Sequence, residues 1–137
     1  MRYFWLVFVV IFLVSCNKEK RIARDLVGDW QIEIIKLQDA DGFTFLDNEP
    51  QGKIHISDGK VQGEVMANFQ TFQGAFFDTL SLNASLELKL EESELNWIQS
   101  MDTLKNRIFV ITRSDLEIER YDAANQIRLH YVFKKVK

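Results

Sequence analysis

The chain has 137 residues, 47% hydrophobic and 27% charged, with 17 Lys plus Arg against 20 Asp plus Glu and a formal net charge of −3. That length suits one domain and not two, and the apolar share excludes a chain too polar to fold. The mildly acidic, well-mixed balance excludes the basic face of a nucleic-acid binder.

The first 15 residues differ in kind from the rest. Thirteen are apolar, interrupted only by Arg2 and Ser15. Arg2 is a minimal positive start, and Phe4 to Val14 is a run of 11 apolar residues. A membrane-spanning helix needs about 20, whereas the core of a signal peptide is this short. The run ends in Leu13-Val14-Ser15-Cys16, which resembles the lipobox of bacterial lipoproteins. The resemblance implies a signal peptide at residues 1–15, diacylation of the Cys16 thiol, cleavage before it and acylation of the new amine. Cys16 is the chain's one cysteine, so it has no intrachain disulfide partner. Several acyl chains at about 0.8 kcal/mol per buried methylene anchor firmly where one is marginal. The alternative is an uncleaved signal anchor with a free thiol. Losing residues 1–15 removes one base (Arg2) and no acid, so the mature net charge becomes −4. The expected location is the bacterial cell envelope, lipid-anchored, the outer membrane preferred to the inner. The expected partners include the membrane, through the lipid on Cys16.

Residues 16–25, with the charged Asn17-Lys18-Glu19-Lys20-Arg21, read as a solvated tether. Charges directly behind the cysteine also resemble surface-export signals of some lipoproteins. Ile22 and Leu26 fall on one side of one or two helical turns ended by Gly28. From Trp30 the period becomes two, with Trp30, Ile32 and Ile34 on one face. Asp39 to Gln51 is a polar loop. Lys53 to Ser57 and Lys60 to Met66 flank Asp58-Gly59, the signal for a hairpin with a type I′ turn, and Gly63 marks a bend or bulge. Phe69 to Asp78 reads as a strand with Phe72, Gly74 and Phe76 on one face. Leu80, Leu82, Ala84, Leu86, Leu88 and Leu90 then alternate with polar residues, a period that outweighs leucine's helix propensity. Glu91 to Glu94 forms an acidic turn, and Leu95 to Ser100 a strand containing Trp97. Arg107 to Thr112 is a nearly continuous apolar run, Leu116 to Glu119 another strand. The last carries Ile127, Leu129, Tyr131 and Phe133 on one face.

About eight strands joined by short turns, with no crossover helix, exclude parallel βαβ architecture. One apolar face per strand fits a sheet closed on itself. Leu26-Val27-Gly28-Asp29-Trp30 resembles the Gly-x-Trp signature that opens the first strand of lipocalin-like barrels. The ending, with Tyr131-Val132-Phe133-Lys134-Lys135, is similar to small lipocalin-like lipoproteins of bacteria. The Thr-Asp-Tyr motif and C-terminal helix of animal lipocalins are absent. The resemblance implies an all-β, antiparallel up-and-down barrel of about eight strands over residues 26–137, after a cleaved signal peptide. It also implies that Trp30 plugs the closed end beneath a basic side chain from a late strand. Arg128 is the candidate for that partner.

Motifs for chemistry are sparse. His55 and His130 lie on the polar faces of different strands, a poor start for a metal site. No serine sits in Gly-x-Ser-x-Gly or Ser-x-x-Lys. The six glycines form no phosphate-cradling loop. Glu91, Glu92 and Glu94 lack the interleaved Asp/Asn/Gly pattern of a calcium loop and read as a solvated hairpin tip. The expectation is a non-enzyme without cofactor or metal, and without nucleic acid as partner. The aromatic set is the remaining lead. Phe69, Phe72, Gly74, Phe76 and Trp97 are the candidate ligand-binding residues, because aromatics on both faces of one segment must partly rim an opening or contact a partner. Two functions stay open: capture of a small apolar ligand in the barrel mouth, or a packed barrel serving as interaction module for an envelope protein.

Overall fold

The computed structural model describes residues 18–137; the signal-peptide segment and Cys16 lie outside the described residues. Ten strands follow one another: β1 (Gly28–Gln38), β2 (Thr44–Asp47), β3 (Gln51–Ser57), β4 (Lys60–Thr71), β5 (Gly74–Lys89), β6 (Glu94–Gln99), β7 (Asp102–Leu104), β8 (Asn106–Ile111), β9 (Asp115–Asp122) and β10 (Ile127–Lys135). They trace eight staves. β3 and β2 pair with the first and last parts of β1, so they form one stave interrupted before Pro50, whose missing N–H suits a break. β7 and β8 both pair with β6 and form another. Every pairing is antiparallel, and β10 returns to β1 from Trp30↔Lys135 to Gln38↔Arg128. The chain is a closed up-and-down antiparallel barrel, as the alternation predicts.

Closure turns one face of every strand inward, and that face carries the core. Ile54, Ile56, Val61, Val65, Phe69, Leu80, Leu82, Leu95, Trp97, Leu116, Ile118, Leu129, Tyr131 and Phe133 are buried there. Two bulges reset the alternation. β1 shifts register between Ile32 and Ile34, so Ile35 and Leu37 point inward and Ile34 does not share the face of Trp30 and Ile32. β8 shifts between Ile108 and Val110, which leaves Phe109 exposed on the outside. An extra residue in one strand reverses the phase of all that follow, and this explains the unbroken apolar run around Phe109.

Three local expectations change. The Asp58-Gly59 hairpin forms, but Gly59 alone has a positive φ (69°), so the turn is not type I′. Gly63 bears no register shift; a Cβ there would lie 2.2 Å from the Lys53 carbonyl oxygen, so it permits close approach of β3 to β4. The segment Phe69 to Asp78 is not one strand, because the chain reverses at Phe72-Gln73 and Thr71 pairs with Gly74. The N-terminal stretch also gains structure. Residues 18–26 are helical, with Ile22 and Leu26 packed onto the core. A segment read as a solvated tether is thus partly a cap on the barrel. Among the described residues no helix is long and apolar enough to cross a membrane.

Candidate functional site

The two ends of the barrel are built differently. At the closed end, Trp30 is fully buried and its Nε1–H donates to the Leu26 carbonyl oxygen at 2.8 Å, tying strand β1 to the helix. Lys135 places its Nζ 5.4 Å from the centroid of the Trp30 ring and donates to the Asp25 carbonyl oxygen at 2.6 Å. The stem of Lys135 crosses Gly28 so closely that a Cβ there would lie 2.7 Å from Cε, and φ at Gly28 is +139°. Gly28, Trp30 and Lys135 therefore interlock. Arg128 does not belong to this cluster. It pairs with Gln38 at the far end of β1, and its Nη1 lies 3.8 Å from Glu119 Oε1. Lys135 supplies the basic partner because it is the β10 residue in register with Trp30.

At the open end, the loops after β1, β4 and β9 surround a cavity of about 290 Å³ whose lining includes Leu37, Phe45, Phe72, Phe76, Asn125 and Ile127. The Phe72 ring meets Phe43 edge-on at 5.1 Å and Phe45 at 5.3 Å between centroids. Phe72 nonetheless remains 78% exposed. The rim is held by carboxylates acting as local caps. Asp39 Oδ1 accepts from the backbone N–H of Asp41 and Phe43 at 3.0 and 2.9 Å. Asp122 accepts from the Asn125 side chain at 2.9 Å and the Ala124 backbone at 3.1 Å. These bonds, the Asn125 amide foremost, hold the Asp122 carboxyl below the ordinary carboxylate range. Two larger grooves, about 600 and 500 Å³, flank the N-terminal helix, but both are more open than the mouth.

The five residues proposed from sequence part company here. Phe72 and Phe76 line the mouth. Phe69 is buried one step deeper, its ring 6.4 Å from that of Phe76. Trp97 lies in the core, fully buried. Gly74 does not share a strand face with Phe72 and Phe76: the turn separates Phe72 from them, and a Cβ on Gly74 would meet nothing within 4 Å. Its φ of +113° makes it a turn residue.

Beneath the mouth runs a layer of inward-facing polar residues that the sequence reading passed over. Five successive staves contribute one each: Asp78 from β5, Trp97 from β6, Asn106 from β8, Arg120 from β9 and Tyr131 from β10. Arg120 Nη2 donates to the Tyr131 hydroxyl at 3.1 Å, and that hydroxyl donates to Asp78 Oδ2 at 3.3 Å. Burial pushes the Tyr131 phenol well above its ordinary pKa, so it stays a neutral donor. Burial pulls the Arg120 guanidinium down, but the Tyr131, Asp78 and Asp122 oxygens outweigh that and raise it overall. Asn106 Nδ2 donates to the carbonyl oxygens of Leu95 and Leu104 at 2.9 and 3.2 Å. Trp97 Nε1, Asn106 Oδ1 and Arg120 Nε are buried without a hydrogen-bond partner. A legible signal existed: Asp78 shares the phase of Leu80 and Leu82, and Arg120 that of Leu116 and Ile118, so each places a charge on the apolar face of its strand. The histidines sit elsewhere. On β3, His55 Nδ1 is 2.8 Å from Asp29 Oδ1, and on β10 His130 Nε2 is 3.1 Å from Glu117 Oε2.

No family model matches the chain. No curated protein matches it either. Among solved structures, it is similar to a de novo designed fluorescence-activating β-barrel (15% identity, 83% of this chain and 96% of that one, TM-score 0.41). A redesigned β-barrel gives 14% identity over 85% and 96%, with a TM-score of 0.40. An odorant-binding protein gives 11% identity over 82% and 73%, with a TM-score of 0.40.

Proposed function

We propose that this chain is a lipoprotein of the bacterial cell envelope, anchored through Cys16, whose barrel takes a small, largely apolar ligand at its open end. The observation that carries the ligand is Phe72, left mostly exposed over a cavity of mixed apolar and polar lining, with Phe43 and Phe45 at its edges. Apolar side chains kept at a surface against the hydrophobic effect mark a contact site. A cavity of about 290 Å³ lies near the lower bound for ligand pockets and suits a molecule of about one or two rings. The anchor rests on the lipobox-like Leu13-Val14-Ser15-Cys16 alone. Titration with the apolar fluorophore N-phenyl-1-naphthylamine tests the ligand; labelled palmitate, incorporated by the wild type and not by Cys16→Ala, tests the anchor. A second reading, a packed barrel that docks an envelope protein, is favoured by outward-facing Phe77, which is 71% exposed on β5. Absence of binding by any apolar probe would promote it.

A further inference from the structure

The polar layer under the mouth has an unusual balance. Among the described residues four buried atoms lack partners; Asn96 Oδ1 belongs to the other face of β6 from Trp97, and the remaining three lie on the inward faces of β6, β8 and β9: two donors, Trp97 Nε1–H and Arg120 Nε–H, and one acceptor, Asn106 Oδ1. Register puts them together. Asn106 and Arg120 are directly paired across β8 and β9, and Trp97 is paired with Leu104, two residues before Asn106. The Asn106 amide is oriented by its two Nδ2 bonds, so its oxygen is the free end. A buried polar atom left unpaired costs about 1–3 kcal/mol, and native interiors carry few. Three on adjoining staves, with the mouth opening at the same end of the barrel, are the mark of a site rather than of a core.

We infer that the layer binds the uncharged hydroxyl head of a ligand whose apolar body lies in the mouth. A hydroxyl oxygen has two acceptor lone pairs and one donor hydrogen, the complement of two free donors and one free acceptor. A carboxylate fails on both counts. It offers no donor to Asn106, and the layer holds no spare positive charge, because Arg120 already faces Asp78 and Asp122. Burying an uncompensated charge costs far more than burying a hydroxyl. The geometry supports entry from above. Phe76 lines the mouth and Asp78 lies two residues further along β5; Ile127 lines it and is paired with Asp122, two residues from Arg120. Two strand residues span roughly 7 Å, the reach of a short arm on a ring held by Phe45 and Phe72. Half-buried Phe76 stands on β5 between the mouth and Asp78. This inference rests on the ligand-binding reading of the mouth and names the ligand's class.

The test uses the full chain in nanodiscs, ¹⁵N-labelled at tryptophan, with three matched probes: 2-phenylethanol, phenylacetate and ethylbenzene. Empty nanodiscs are subtracted for partitioning. The alcohol should bind roughly tenfold tighter than either analogue, the equivalent of one or two net hydrogen bonds. It alone should move the Trp97 indole N–H resonance, identified through Trp97→Phe. Asn106→Leu should abolish the preference for the alcohol while ethylbenzene still binds. If Asn106→Leu does not fold, Trp97→Phe serves in its place and should reduce the preference severalfold. Phenylacetate binding as tightly as the alcohol, or ethylbenzene doing so with Trp97 unmoved, overturns the hydroxyl site. If N-phenyl-1-naphthylamine binds and none of the three probes does, this inference fails and the mouth stands. If nothing binds, both fail.

Discussion

The closed and open ends of this barrel use the same side-chain types to opposite effect. At the closed end Trp30 gives up all its exposure, its N–H is bonded to Leu26, and Lys135 covers its ring. At the open end Phe72 keeps most of its exposure, and the indole N–H of the equally buried Trp97 has no partner. One end satisfies every group that it buries around its tryptophan; the other leaves apolar surface wet and polar atoms dry. The difference teaches where stability and recognition are separated. Substitutions at the closed end should act on folding, and those at the open end on binding.

The sharpest way to break that division is Trp30→Ala. It removes a fully buried large aromatic, a change that typically costs about 3–5 kcal/mol, and here it also strands the Leu26 carbonyl. Urea melts should show that loss. A loss under about 1 kcal/mol would mean the closed end is not the keystone. Gly28→Ala comes next. Its φ of +139° is a conformation that costs a side-chain-bearing residue about 1–3 kcal/mol, and the new methyl must also displace Lys135. The second contribution is separable. Adding Lys135→Ala should recover only the crowding, because the backbone strain remains. Full recovery by the double variant would show that φ is not the constraint.

At the open end Phe72→Ala should leave stability within about 0.5 kcal/mol, as for other exposed positions. Affinity for an apolar probe should nevertheless fall roughly tenfold. If stability falls with affinity, the mouth is part of the core and the contrast between the ends disappears.

What could be read from the sequence follows the same division. Gly28 and Trp30 were legible because glycine stops the helical turns before the first strand, because Trp30 begins an alternating face, and because the two together resemble the Gly-x-Trp signature. Strand count and closure followed from clean period-two runs such as Leu80 to Leu88. Arg128 is the candidate that pattern alone supplies, by lying on the last strand; only register shows that Lys135 is the residue that meets Trp30. The two bulges reversed the inward phase after Ile32 and Ile108, and no local residue announces such a reversal. β2 lay hidden in a polar loop, since four residues are too few to show a period. The Phe72-Gln73 turn carries neither Pro nor Asn nor Asp, the usual markers, so the pattern runs on through the reversal and places Gly74 on one face with Phe72 and Phe76. The polar layer escapes the pattern for a simpler reason. Asp78, Asn106 and Arg120 fall at or just beyond the ends of the strands that the alternation marks, so their inward phase shows only once the strands are extended through them.

The smallest expected effect lies on the rim of the closed end. Asp115, at the start of β9, pairs with Lys134 of β10 and also accepts from the Ser114 hydroxyl at 2.8 Å. The Lys134 ammonium, then Ser114, hold the Asp115 carboxyl below its ordinary 3.8, and Asp115 in turn raises Lys134 above its ordinary 10.5. A carboxyl with a depressed folded pKa contributes stability that is complete above the unfolded value and lost as pH falls through the folded one. A lysine with a raised pKa contributes stability that is complete below about 10.5 and lost as pH rises further. The pair therefore acts between these limits, and weakly, since Lys134 is exposed and Asp115 is only partly buried. Asp115→Asn should melt slightly below the wild type at pH 7 and with it at pH 2, and 1 M salt at pH 7 should narrow the gap. A gap that persists undiminished at pH 2 would assign the contribution to the turn bonds of Asp115 with Ser114 and Thr112, which an amide oxygen reproduces poorly, and not to its charge.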